Sequence, residues 1–489
     1  MSPTIIVIIL TAYFGTLMLI SYFTGRHADT NAFFTANRQS PWYLVAFGMI
    51  GTSLSGVTFI SVPGQVVNSG FSYYQVVLGY IIGYVVIAQV LMPLYYRLNL
   101  VSIYTYLRDR LGPASYFTGA AFFILSRTLG SAMRLYLASG VLHIFLFGPM
   151  NVPFWLTAVI TLVLIWLYTY KGGVKTIVWT DSFQTIFLIS SVIICTVVII
   201  GKLDMDRAEL WHSLDETGFS TLFQFGDIRA RNHFLKHFFG GAFIAVAMTG
   251  LDQDLMQKNL TCKNIGEAQK NMYSFTAILV AVNLLFLVLG ALLYLYAAKF
   301  SIPLPLTADG KIMTDNVFPF LALSEFGLVA GIFFLLGIIA SSFASADSAL
   351  TALTTSFCID FLPWSAYKES TRNKAKNWVH VGFSAAFFII ILVSREVADQ
   401  SLIDMILKLA GYTYGPLLGL FAFGILFKYG IRDRWVPLVC LASPALCFIL
   451  DYNSKAWFDG YQFGFEILIL NGTLTLAGLL LLSTKQHAE

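Results

Sequence analysis

The sequence predicts an all-α integral membrane protein that crosses the bilayer many times. Of its 489 residues, 57% are hydrophobic and only 11% are charged, whereas about a quarter of the residues in a soluble protein carry charge. Apolar runs of about 20 residues, the length that spans the hydrocarbon layer as a helix, recur along the whole chain. The chain is therefore expected to have the lipid bilayer as a partner.

Hydropathy divides the chain into thirteen predicted spans. The first has no basic segment before it and no small-residue cleavage site after it, so it is expected to be a true span rather than a cleaved signal. The ninth is longer than one crossing needs and must include a turn or extend into water. The predicted spans are 4–24, 42–61, 71–96, 116–147, 152–170, 177–201, 234–251, 273–299, 319–360, 377–394, 402–427, 434–451 and 463–483.

Basic residues are unevenly divided between the two sets of alternating loops. The richer set includes Arg108, Arg110, Lys258, Lys374 and Arg432. The positive-inside rule assigns this set to the cytoplasm, with the amino terminus outside and the carboxyl terminus inside a plasma or inner membrane. Because basic residues sort by side of the membrane, the net charge of +4 gives no reason to expect a nucleic-acid partner.

Catalytic and metal-binding motifs are not evident in the sequence. The five cysteines include no CxxC pair, and the seven histidines form no ligand-spaced cluster with carboxylates. HExxH, GxSxG and paired intramembrane carboxylates are also missing, so an enzyme is not expected.

The second span is interrupted by small and polar residues. It reads VAFGMIGTSLSGVTFISVPG (45–64). Unwound backbone at membrane depth is tolerated only where protein encloses it or where it lines a cavity. Its free carbonyl groups are potential cation ligands.

The ninth span supplies a complementary row of hydroxyl groups. At about 100° per residue, Ser341, Ser345, Ser348 and Thr355 lie on one face, with Ser342 at its edge. Asp347 is expected to point away from that face, toward cytoplasmic water. Close helix packing would also explain small hydroxyl residues. Combined with a broken span, however, they favour a midplane cation site like those of secondary transporters.

Four charged residues lie within or at the start of other spans, and the sequence allows more than one role for most of them. Arg127 and Arg134, seven residues apart on one helix face, each need a fixed carboxylate or the carboxylate of a substrate. Asp181 is either a helix-start residue or an ion ligand. Lys408 is expected to extend its ammonium group outward to the membrane surface.

Six segments in order resemble the sodium/solute symporter family, which includes sodium–galactose, sodium–proline and sodium–sialic acid cotransporters. The matching segments are FFTANRQSPWYLVAFGMIGTSLSGVTFISVPG (33–64), SIYTYLRDRLG (102–112), GGVKTIVWTDSFQ (172–184), GLDQDLMQKNL (250–260), ASSFASADS (340–348) and GPLLGLFAFG (415–424). They are spread over nearly the whole chain.

The resemblance implies a LeuT-like core of ten helices, formed by the second to eleventh spans as two inverted five-helix repeats. The first helix of each repeat is broken in this fold. The implied organisation is an extra amino-terminal helix (1–30), a first repeat (31–232), a second repeat (233–430), and carboxyl-terminal helices with a short cytoplasmic tail (431–489).

The resemblance also implies a principal sodium site and leaves a second one open. Family positions of the principal site match Gly51, Leu54, Ile338, Ser341 and Ser342. The second site of some members matches Asp181 and Ser345, but Ala344 stands where a hydroxyl group is wanted.

Substrate positions in the family match Ser53, Ser55 and Thr58, and Gln75 lies within one turn of another. With Arg127 and Arg134 nearby, these hydroxyl groups favour a sugar acid or other hydroxylated organic acid. The resemblance thus implies a sodium-coupled symporter that imports a small polar organic solute by alternating access. The alternatives are an amino-acid or monocarboxylate carrier and, with less support, a channel or sensor. The oligomeric state is left open, and a monomer is compatible with the sequence.

Overall fold

Helices lie at all thirteen predicted spans. A computed structural model describes residues 3–26, 30–169, 173–307, 309–397 and 402–484. The helices are α1 (Pro3–Gly25), α2a (Trp42–Ser53), α2b (Gly56–Gly64), α3 (Tyr74–Val86), α4 (Pro113–Leu142), α5 (Phe154–Thr169), α6 (Gly173–Leu203), α7a (Phe234–Ala245), α7b (Gln253–Asn259), α8 (Ile265–Lys299), α9 (Leu328–Ser356), α10 (Glu369–Val397), α11a (Leu402–Thr413), α11b (Gly415–Leu426), α12 (Val436–Trp457) and α13 (Ile467–Leu481).

Shorter elements connect these helices. Met92–Arg97 extends α3, and Thr30–Thr35, Val66–Ser69, Thr105–Arg110, Arg207–Glu216 and Thr314–Ser324 are separate short helices. Gly430–Ile431 pairs with Ser483–Thr484 in a small antiparallel ladder. Residues 485–489 of the predicted tail lie outside the described ranges.

Ten membrane-spanning candidates follow from length and hydropathy within the described ranges. Seven are single helices, and three are bent pairs that each count as one span. Helices α5 and α13 are shorter apolar helices. Helix α4 carries the two buried or half-buried arginines, which lower its hydropathy. These helices confirm the predicted all-α membrane architecture.

The first helix of each predicted repeat is broken. Helices α2a and α2b are bent by 58°, and α7a with its extension to Gly250 is bent by 70° from α7b. At the first break, Leu54 has φ −86° and ψ 69°, and Ser55 has ψ 168°, so the backbone leaves the helical conformation. Asp252 is extended at the second break, where its carboxylate accepts from the Asp254 N–H (2.9 Å). These two breaks match the predicted inverted-repeat core.

The predicted ninth span is two helices rather than one. The short helix Thr314–Ser324 ends before Gly327, which has φ 86°, and α9 begins at the next residue. The predicted turn is therefore confirmed. Helix α9 packs against α6, and α6 in turn packs against α2a, so α9 lies at the centre of the bundle.

Candidate functional site

The break in α2 lies directly against the serine-rich part of α9. A Cβ atom on Gly56 would stand 2.0 Å from Ser342 Oγ and 3.6 Å from the Ile338 carbonyl oxygen. Five residues earlier, a Cβ atom on Gly51 would be 2.7 Å from Thr185 Oγ1 on α6 and 3.5 Å from the Ala344 Cβ. Glycine at residue 56 therefore lets the broken helix approach α9, and glycine at residue 51 lets it approach Thr185 of α6.

Oxygen atoms collect where the two segments meet. Ser341 Oγ donates to the Ile338 carbonyl oxygen (3.1 Å), whereas Ser342 Oγ is buried and has no partner among the described residues. Leu54 lies in the unwound backbone of the α2 break. The described residues contain no group of three His, Cys, Asp or Glu side chains able to hold a metal ion. Neutral carbonyl and hydroxyl oxygens therefore make up this candidate site, which suits a hard monovalent cation.

The predicted second sodium site contains an unexpected lysine. Thr52 Oγ1 donates to Asp181 Oδ2 (2.9 Å), and the Lys258 ammonium group contacts both of these oxygens. Ser345 Oγ is buried without a partner among the described residues. In the sequence, Lys258 was counted with the loop residues. The structure corrects this, because Lys258 lies in α7b and is only 2% exposed.

Asp347 also departs from its predicted position. The sequence places it near cytoplasmic water, but its side chain is fully buried. Helix α5 covers that face of α9, and the Tyr168 hydroxyl donates to Asp347 Oδ2 (2.8 Å). Hydropathy alone does not show which helix packs over a given face.

A cavity opens on the other side of the α2 break. It holds about 740 Å³ of space free of protein atoms, part of it open to solvent. Five of the six predicted substrate residues line it: Ser53, Ser55, Thr58, Arg127 and Arg134. Sequence reasoning missed the tyrosines Tyr73, Tyr80 and Tyr84 and the amide of Asn283, which also line the cavity.

Gln75, the sixth predicted substrate residue, lies outside the lining of this cavity. Its side-chain amide donates to the carbonyl oxygens of Ser72 (3.0 Å) and Asn232 (3.2 Å), and its Oε1 accepts from the Gln224 N–H (3.0 Å). These bonds tie α3 to the segment that leads into α7a. The hydrogen bonds of Gln75 thus connect parts of the fold, and its contact with a substrate stays a prediction.

Arg127 is held by fixed carboxylates at the second helix break. Its guanidinium group contacts Asp254 and lies 3.8 Å from Asp252 Oδ2. Ser348 donates to Asp254, and Tyr414 donates to Asp252. The network joins α4, α7, α9 and the bend between α11a and α11b. Of the two partners that the sequence left open for Arg127, the structure shows the fixed one.

Arg134 has different surroundings. It is half-buried and lines the cavity, and no ion pair or hydrogen bond joins its guanidinium group to another described residue. A cation at membrane depth requires a compensating anion or polar groups. Asp252 acts on Arg134 electrostatically but forms no ion pair with it, so the contact of Arg134 with a substrate stays a prediction.

Lys408 lies away from the cavity. Its side chain is 54% exposed and pairs with Asp451 on α12 (2.7 Å), which also accepts from the Tyr412 hydroxyl (2.6 Å). The outward position agrees with the sequence prediction.

Each half of the bundle opens with a broken helix, and the first break has an oxygen-rich site with a cavity beside it. This arrangement defines a secondary transporter of the inverted-repeat class. Residues 33–430 match the sequence profile of the Sodium:solute symporter family, and the chain belongs to that family. It is thus a multi-pass membrane protein and a sodium-coupled solute symporter, in a family of transporters rather than enzymes.

Two relatives illustrate the range of solutes in the family. The chain is 24% identical to the sodium/sialic acid symporter NanT of Aliivibrio fischeri over 477 residues, which cover 96% of this chain and 92% of the relative. It is 26% identical to the sodium-coupled monocarboxylate transporter 1 of Xenopus laevis over 422 residues, which cover 83% of this chain but 64% of the relative.

Solved structures support the fold. The chain matches a substrate-bound, outward-open sodium-coupled sialic acid symporter with a TM-score of 0.82 over 98% of both chains, at 18% identity. It also matches the nucleobase-cation-symport-1 family transporter Mhp1, in a closed conformation, with a TM-score of 0.53 over 92% of this chain and 94% of that one, at 14% identity. At these identities the likeness shows the fold alone.

Proposed function

We propose that this symporter imports a small organic anion, recognised by its carboxylate group, together with sodium. The observation that supports the proposal is the guanidinium group of Arg134, which lines the cavity and forms no direct hydrogen bond or ion pair with a described residue, although Asp252 acts on it electrostatically. Arg127, on the same helix, has Asp252 and Asp254 as partners. The planar guanidinium fork of Arg134 suits a carboxylate.

The composition of the cavity favours a hydroxylated organic acid or a monocarboxylate over an amino acid. Among the described residues that line it, none is Asp or Glu, so the ammonium group of an amino acid has no carboxylate to pair with. The lining includes hydroxyl groups of Ser55, Thr58 and Tyr73, which can bind hydroxyl groups of a solute. Relatives named for sialic acid and monocarboxylates carry carboxylate solutes, in agreement with the proposal.

Coupling follows from the position of the α2 break. Ser55 lines the cavity, while the next residue, Gly56, lies against Ser342 and Ile338. We assign the principal sodium ion to carbonyl oxygens of Gly51, Leu54 and Ile338 and to the hydroxyl groups of Ser341 and Ser342. Sodium would fix the unwound segment against α9 and thereby complete the solute cavity. Linkage requires the reverse as well, so the solute must tighten sodium binding by the same factor.

A binding and uptake experiment tests the proposed function. Purified protein is screened by thermal shift, with and without sodium, against lactate, sialic acid, glucose and proline. Solutes that bind are then tested for uptake into proteoliposomes under a sodium gradient. We expect carboxylates without an amino group to stabilise the protein only when sodium is present, and to be accumulated. Sodium-dependent accumulation of glucose but of neither organic acid would contradict the proposal.

A further inference from the structure

Lys258 pairs with Asp181, the carboxylate of the second sodium site that the family resemblance suggests. Its ammonium group contacts Asp181 Oδ2 and Thr52 Oγ1, and Thr52 itself donates to the same carboxylate oxygen (2.9 Å). The side chains of Lys258 and Asp181 are 3% and 0% exposed. The lysine therefore reaches this carboxylate from α7b and is shielded from water there.

The Lys258–Asp181 pair leaves no net negative charge to attract a sodium ion. Asp181 is the single carboxylate of the predicted second site, whose other side chain is the neutral Ser345. A dehydrated sodium ion is stabilised by anionic or strongly polar ligands, and a second cation beside Lys258 would be repelled by the ammonium group.

Asp347 interacts electrostatically with both Asp181 and Lys258, but the family resemblance does not make it a ligand of the second site. It is separated from Ser345 by two positions, about 200° around α9, so the two side chains point to nearly opposite faces of the helix. Its Oδ2 atom is bonded to the Tyr168 hydroxyl of α5.

We propose that Lys258 is a tethered cation that takes the place of the second sodium ion at Asp181, so that one sodium ion accompanies each solute molecule. The inference rests on the proposed function above, because it concerns the stoichiometry of that same transport cycle. The ammonium group cannot leave with the solute, so it neutralises Asp181 without being transported.

One consequence concerns the membrane potential. One sodium ion moving with a solute of charge −1 transfers no net charge, so the potential neither drives nor opposes uptake. If two sodium ions moved with the same solute, each cycle would carry one positive charge inward, and an inside-negative potential would accelerate it.

The experiment measures the ratio of ²²Na⁺ to radiolabelled monocarboxylate taken up by proteoliposomes, with and without a potassium diffusion potential set by valinomycin. For the wild-type protein we expect a ratio of one and uptake that is unchanged by the potential. A Lys258→Met variant exposes the charge of Asp181 and is expected to carry two sodium ions per solute, with uptake stimulated by an inside-negative potential. The double variant Lys258→Met with Asp181→Asn removes that charge again and should return the ratio to one.

Lys455→Met, which removes an exposed lysine near the end of α12, is the matched control and should keep the wild-type ratio. A ratio of two in the wild-type protein would overturn the inference while leaving the proposed function intact, whether or not the variants are active. An active Lys258→Met variant that still carries one sodium ion would overturn it as well. If the wild-type protein shows no sodium-dependent uptake of any organic anion, the proposed function fails, and the inference with it.

Discussion

Gly56 on α2b approaches Ser342 on α9 so closely that a Cβ atom at residue 56 would stand 2.0 Å from the serine Oγ. Real Cβ atoms essentially never come within 3.0 Å of another heavy atom in this way. The contact joins the unwound part of one span to the hydroxyl-bearing part of another. Any change that separates these two residues should therefore alter sodium binding before it alters the rest of the bundle.

Replacing Gly56 by alanine should displace α2b from α9. We expect Gly56→Ala to lower the stability of the protein by about 1–3 kcal/mol, the usual range for overpacking. It should also abolish the shift in melting temperature that sodium produces. Gly130→Ala is the control, because a Cβ atom at residue 130 meets no atom within 4 Å. A Gly56→Ala protein that is still stabilised by sodium at the wild-type concentration would contradict the assignment.

Arg134→Gln should weaken solute binding without unfolding the protein. A hydrogen bond to a charged group contributes about 1.5–3 kcal/mol, and about 1.4 kcal/mol corresponds to a tenfold change in affinity. The apparent affinity for a carboxylate solute is thus expected to fall by about tenfold or more, as measured by sodium-dependent uptake over a range of solute concentrations. The melting temperature of the solute-free protein should stay close to the wild-type value. Unchanged solute affinity would exclude Arg134 as the carboxylate-binding residue.

Arg127→Gln, unlike Arg134→Gln, should greatly lower the free energy of unfolding of the solute-free protein. The substitution leaves Asp252 and Asp254 buried without their guanidinium partner, and breaking such a pair typically costs about 3–5 kcal/mol. Arg229→Gln is the control, because its partner Asp459 is 84% exposed, and exposed pairs contribute about 0–1 kcal/mol. Thermal unfolding in detergent should separate the two variants. Equal melting temperatures would show that the network at the second break is not structural.

The orientation predicted from the basic loops can be tested by labelling single cysteines. All five native cysteines are buried, so background labelling should be low. Asp459→Cys lies in a loop predicted to be outside, and Glu369→Cys lies in one predicted to be inside; both positions are exposed. A membrane-impermeant thiol reagent added to intact cells should label residue 459, and should label residue 369 only after permeabilisation. The reverse pattern would invert the topology.

Much of the fold could be predicted because it depends on local sequence. The breaks at Leu54 and Ser55 follow from a cluster of glycines and serines, and each apolar run has the length of a span. The face shared by Ser341 and Ser345 follows from helical periodicity. Such features need no knowledge of which helices are neighbours.

The parts that the sequence did not predict depend on pairing between distant helices. Lys258 and Asp181 are 77 residues apart, and Arg127 and Asp254 are 127 apart. Spacing within one segment cannot show that these side chains meet. The burial of Asp347 was missed for the same reason, since it is produced by α5.

The central claim is that Ser342, on α9, supplies an oxygen ligand to the coupling ion at the break in α2. A sodium titration of solute uptake by proteoliposomes containing the Ser342→Ala protein tests it most directly. The comparison is Ser139→Ala, which removes another buried hydroxyl group without a described partner, on α4. We predict that Ser342→Ala loses sodium-dependent uptake but keeps its melting temperature in the absence of sodium, and that Ser139→Ala titrates like the wild type. Wild-type sodium dependence in a well-folded Ser342→Ala protein would contradict the account.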